Sequence, residues 1–167
     1  MFAGAAFFLF PLYLSQIGFD VLYIGSLLAT YSLIAGIASI VSERKNYSMK
    51  KSAIGMIIFA VIPLFLINQM TIANAFFIMG LIAVGEGLLD NIFEKMLAVV
   101  TRNSKTVSTD MAVLHFPYRI AEFFILAGIG FFVAAYGFYA AFLGVAVILT
   151  IYAIFALRFL QSNSSNS

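Results

Sequence analysis

Six long apolar stretches separated by short polar breaks organise the chain: roughly residues 1–18, 21–41, 50–68, 71–100, 106–133 and 136–160. Each comes close to or exceeds the about 20 residues that an α-helix needs to cross a bilayer. None keeps a period-two alternation, and only helices or closed barrels satisfy their backbone inside lipid. The pattern therefore predicts an all-α polytopic membrane protein, with a transmembrane bundle of six helices over 1–160 and a disordered polar tail over 161–167. Three breaks are tight: Gly18-Phe19-Asp20, Asn68-Gln69-Met70 and Tyr136-Gly137. The other two, Ser42 to Lys51 and Thr101 to Asp110, are longer and charged.

The basic residues give an orientation. Arg44, Lys45, Lys50 and Lys51 fall between the second and third stretches, Arg102 and Lys105 between the fourth and fifth, and Arg158 closes the sixth. The remaining joins carry no Lys or Arg. The positive-inside rule then places both termini and both charged joins in the cytoplasm. The protein is expected to be integral and multi-pass, in the plasma membrane.

Composition narrows the classes. The chain is 63% hydrophobic and 10% charged, against about 25% charged for a soluble domain. It has no cysteine, which excludes disulfides and a thiolate metal site. A formal net charge of +2 is too small to suggest a nucleic-acid partner. The first stretch lacks the basic flank and the small-residue cleavage site of a secretory signal. No metal-ligand cluster, phosphate loop or nucleophile–base pair stands out, so neither a cofactor nor enzymatic chemistry is expected.

Ionisable residues inside apolar stretches are costly and mark function by default. Glu86, Asp90 and Glu94 recur at four-residue spacing in the fourth stretch, and His115, Arg119 and Glu122 follow at similar spacing in the fifth. Helical periodicity puts each set on one face. If the two stretches run antiparallel, the sets match in depth at about 9–10, 15–16 and 21 Å from the charged join between them. The expected rungs are Glu94 with His115, Asp90 with Arg119, and Glu86 with Glu122. Four carboxylates against one Arg and one His would bury excess negative charge. Desolvation and like-charge proximity favour the protonated acid, so at least one of Glu86 and Glu122 is expected to hold a proton near neutral pH. Asn91 is a further candidate for hydrogen bonding to a substrate. Lys95, near the cytoplasmic end, can snorkel, and His115 can relay protons or sit satisfied at an interface.

Several local motifs resemble one half of a major facilitator superfamily (MFS) transporter, and the resemblance covers essentially residues 1–160. Pro11-Leu12-Tyr13-Leu14-Ser15-Gln16-Ile17-Gly18-Phe19 and Ile24-Gly25-Ser26-Leu27-Leu28-Ala29-Thr30-Tyr31-Ser32 look like the end of the first helix of a six-helix repeat and the start of its second. Ser39-Ile40-Val41-Ser42-Glu43-Arg44-Lys45-Asn46-Tyr47-Ser48 is a degenerate version of the family's G-x-x-x-D-R-x-G-R-[RK] loop. Asn46 replaces a glycine there, and Asn tolerates a left-handed turn next best. Gly80, Gly85 and Gly87, then Gly128 and Gly130, resemble the Gly-rich fourth and fifth helices of a repeat, where small residues allow close packing. Pro11, Pro63 and Pro117 are expected to kink or break their helices.

The resemblance implies a secondary transporter, working by symport or antiport, with a central site between two six-helix bundles. It makes Glu43, Arg44, Lys45 and Asn46 a cytoplasmic gating loop. This chain would supply one bundle, and its hydrophobic start and polar tail favour the C-terminal half. The implied partners are lipid, an unknown small solute, protons, and a second half or another copy of the chain. Two alternatives stay open. The charged ladder could only pair helices in a non-transporting assembly or structural component, where polar pairs average about 0.6 kcal/mol. Glu86 and His115 could instead act as acid and base on a lipid-linked substrate, although the sequence offers no nucleophile.

Overall fold

The computed structural model describes the backbone of residues 2–101 and 106–164. Side chains are described over 8–101 and 123–158, and at 106, 109, 110, 112, 113, 115, 116 and 120. Every regular element among them is helical: α1 (Phe2–Gln16), α2 (Val21–Arg44), α3 (Met49–Met56), a π turn (Ile57–Val61), α4 (Ile62–Phe65), a 3-10 turn (Ile67–Gln69), α5 (Ala75–Thr101) and α6 (Val107–Ser164). Three helical segments are long and apolar enough to cross a membrane: Val21–Arg44, Ala75–Thr101 and Phe123–Arg158. The backbone breaks inside α6 at Gly137, with φ 82° and ψ 169°, where the sequence places a tight turn. Past residue 160, where a polar tail is expected, the helix runs on to Ser164. No glycine or proline follows Arg158 to stop it. Residues 102–105, including Arg102 and Lys105, and the last three residues lie outside the described ones.

Two helix ends are built alike. After α1, the Gly18 N–H donates to Ser15 O and the Phe19 N–H to Leu14 O, with Gly18 at φ 89°. After α2, the Asn46 N–H donates to Glu43 O and the Tyr47 N–H to Ser42 O, with Asn46 at φ 46°. Both are Schellman caps, which need a left-handed residue just past the helix to satisfy its last carbonyls. Asn46 therefore supplies the left-handed position that glycine most often takes at such an end. Ser48 then caps α3, its hydroxyl accepting from the Lys51 N–H at 3.3 Å.

Pro63 explains the irregular third segment. It has no N–H for the Phe59 carbonyl, and its ring would crowd that carbonyl in a regular helix. The π turn over Ile57–Val61 lies just before it, and such a widened turn takes up the misfit. Pro11, by contrast, sits inside an unbroken α1. The α6 backbone is continuous through 117, while the Pro117 side chain is outside the described residues.

The core gathers around α5, which packs most extensively on α2 and also meets α3, the π turn and α6. Small residues make this possible. A Cβ at Gly85 would lie 2.5 Å from Ala60 N in the π turn. One at Gly87 would lie 2.7 Å from Ser39 N and from Ala38 Cβ on α2. Gly80 makes only an ordinary contact, 3.4 Å to Ile34 Cδ1. At Gly128 and Gly130 nothing lies within 4 Å, so the close packing expected there is absent among the described residues. On the other side, α1 docks on the later part of α6 through aromatic rings. Phe10 stacks on Phe142 at 5.2 Å, and Tyr13 meets Phe142 edge-on at 5.4 Å. The buried Tyr13 hydroxyl donates to Ile67 O at 2.8 Å, a carbonyl of the 3-10 turn that also accepts from the Met70 N–H at 3.1 Å.

Candidate acidic stripe on the central helix

α5 carries Glu86, Asp90 and Glu94 on one line, but the line changes environment along its length. Glu86 is 5% exposed, whereas Asp90 and Glu94 are exposed. At about 100° per residue, Asp90 lies about 60° from Gly87 on one side and about 60° from Phe93 on the other. Gly87 faces α2, and Phe93 meets the His115 ring of α6 at 5.4 Å, nearly edge-on at 73°. The stripe thus runs along a seam between α2 and α6. Its buried end is roofed by Tyr31 of α2, itself 2% exposed, and by Phe10 of α1, whose ring lies 5.9 Å from that of Tyr31.

Inside this roof the Tyr31 phenol sits against the Glu86 carboxyl and Asp90 follows one turn along. Glu86 Oε2 has no hydrogen-bond partner among the described residues. A buried acid so placed is costly as an isolated charge. It can hold a proton and hand it along the open stripe, or hold a cation.

At the first level of the ladder expected between the fourth and fifth stretches, the described contact of His115 is with the ring of Phe93, the neighbour of Glu94 in sequence. The side chains of Arg119 and Glu122 lie outside the described residues, so the three acid-to-partner rungs rest on the sequence alone. Asn91, next in sequence to Asp90, is turned about 100° from it and is 1% exposed. Its Oδ1 accepts from the buried Ser52 hydroxyl of α3 at 3.1 Å, which makes it a helix-pairing group. Lys95 reaches the α2–α3 join, donating to Asn46 Oδ1 at 3.4 Å and to the Tyr47 carbonyl. Glu43, Arg44, Lys45 and Asn46 are exposed at that end.

Tyr31, Ser52 and the Tyr47 carbonyl were not legible as partners in the sequence. Tyr31 had one available signal, its place in the polar run Thr30-Tyr31-Ser32 of an otherwise apolar helix. No group of three His, Cys, Asp or Glu that could hold a metal occurs among the described residues. Comparison with known protein families, with curated proteins and with solved structures finds no match for this chain.

Proposed function

We propose that this chain is one six-helix half of a secondary transporter of the major facilitator type, moving a small solute and coupling it to protons through Glu86, Asp90 and Glu94. The observation that carries the reading is the stripe on α5, buried at Glu86 and open at Asp90 and Glu94. An acid facing lipid at the centre of a span costs about 3 kcal/mol on insertion scales. Two open acids on an apolar helix therefore call for water, a cation or a second bundle opposite them. A second bundle would turn the open seam into the wall of a central cavity. Excess carboxylate favours a cation or a polar neutral solute.

In this reading six segments cross the plasma membrane and both termini face the cytoplasm. The break at Gly137 supports two crossings within α6. An unbroken helix of its 58 residues would measure about 87 Å, against about 30 Å of hydrocarbon. A second reading, a non-transporting assembly component, draws on the Ser52–Asn91 and Lys95–Tyr47 contacts, which spend polar groups on joining elements. The stripe tells against it, because its open acids join nothing among the described residues.

The purified protein's mass in detergent, with bound detergent subtracted, tests the half-transporter claim. A dimer of the 18.3 kDa chain is expected if two copies build the twelve-helix unit. A monomer that restores no uptake until a second chain is added fits the same reading. A monomer that transports alone contradicts it.

A further inference from the structure

We infer that the turn between α1 and α2 holds a binding site for a primary ammonium group, that of an ethanolamine-headed membrane lipid. The inference goes beyond the transport reading and does not depend on it. A cavity of about 530 Å³ opens at this end of the bundle, with Phe19, Asp20, Leu22, Tyr23, Ser26 and Ile72 in its walls. Such a volume is usual for small-molecule sites. The walls are tied together across elements: the Tyr23 hydroxyl of α2 donates to Ile72 O, just ahead of α5, at 2.7 Å. The Tyr23 ring also lies 5.3 Å from that of Phe19 and 5.3 Å from that of Phe76 on α5.

The side-chain polar groups of these walls are all acceptors, and that selects the ligand. Ser26 spends its proton on Tyr23 O at 2.7 Å and Tyr23 its own on Ile72 O, so both hydroxyls offer only lone pairs. Asp20 precedes α2 without capping it, since its side chain makes no cap hydrogen bond. No Lys, Arg or His occurs in residues 1–43, 52–94 or 120–157, so no basic side chain of those stretches neutralises the carboxylate. A primary ammonium brings N–H donors to such acceptors, whereas a quaternary ammonium has none. The aromatic rings beside Asp20 add attraction for a cation. Position names the source of the group. The cavity lies at the N-terminal end of a helix long enough to cross a bilayer, and Val21 and Leu22 beside it are each 81% exposed, an apolar rim suited to acyl chains. The first N–H groups of α2 lie at the same rim and suit the phosphate of a lipid headgroup.

Native mass spectrometry of the purified chain in detergent tests this, with equal amounts of phosphatidylethanolamine, phosphatidylcholine and phosphatidylglycerol carrying the same acyl chains. Wild type should retain phosphatidylethanolamine in several-fold excess over the other two. D20N should lower its retention to their level, and the variant should fold, because Asn starts a helix as well as Asp does. D110N, which removes an acid from the first turn of α6, should leave the preference unchanged. Equal retention of the three lipids by wild type, or a preference that survives D20N, overturns the inference. Where D20N does not fold, S26A decides: it removes one acceptor and should weaken the preference, and an undiminished preference overturns the inference. Titration with free ethanolamine separates the two sources of the ammonium group. Binding of the free amine that D20N abolishes, without selective retention of phosphatidylethanolamine, overturns the lipid assignment.

Discussion

Glu86→Gln is expected to abolish proton-driven uptake while leaving solute exchange intact. The substitution keeps the shape of the side chain and its place under Tyr31 and Phe10, but an amide neither binds nor releases a proton in this range. A solute that dissipates a pH gradient across liposomes holding the complete transporter, found among amino acids, sugars and organic cations, would serve as the probe. Gradient-driven accumulation in the variant should fall to the level of empty liposomes. Exchange of labelled against unlabelled solute should persist, which also shows that the variant is folded. Uptake of wild-type size and pH response would remove Glu86 from the coupling path.

Gly87→Val is expected to destabilise the bundle by about 3 kcal/mol, the upper end for an overpacked core. The added Cβ meets the Ala35 carbonyl, Ala38 Cβ and Ser39 N on α2. Two of these are backbone atoms, so no rotamer change relieves the clash and the helices must separate. Separation would also part Tyr31 from Glu86. Gly128→Ala is the matched control, since nothing lies within 4 Å of a Cβ there and alanine is the better helix former. It should cost nothing. Unfolding of both variants in detergent checks the pair. Equal stability of G87V and wild type would mean that α2 and α5 do not meet at this point.

Much of the helical layout is legible in the sequence because it depends on local chemistry. The apolar runs, the left-handed residue Gly18, the break at Gly137 and the Asn46 cap all rest on backbone preferences readable one residue at a time. The acidic stripe is equally local, since 3.6-residue periodicity fixes its line on α5. What periodicity leaves open is which neighbour each side of a helix meets. Asn91 and Lys95 stand beside stripe residues in sequence, yet one bonds Ser52 on α3 and the other the α2–α3 join. Glycines show the same gap: Gly87 lies under a neighbouring backbone and Gly128 under nothing, although both belong to Gly-rich runs. The π turn before Pro63 is half legible. Proline forecasts a disturbance, but not its form as a π turn over Ile57–Val61, nor the close approach of Ala60 in that turn to Gly85. The burial of Glu86 against Tyr31 belongs to this second class, because it needs the pairing of α2 with α5.

The central claim is that the stripe lines a water-filled path, and the chain's lack of cysteine allows a direct test. Single cysteines at Asp90 and Glu94 would be compared with cysteines at Phe77 and Ile58, both exposed apolar positions, for reaction with a membrane-impermeant thiol reagent. The complete transporter in lipid is the sample. Thiols ionise and react only where water reaches them. D90C and E94C should label readily while F77C and I58C stay inert against lipid. If D90C and E94C are as inert as F77C, the stripe faces lipid or a dry helix interface, and the transport account fails.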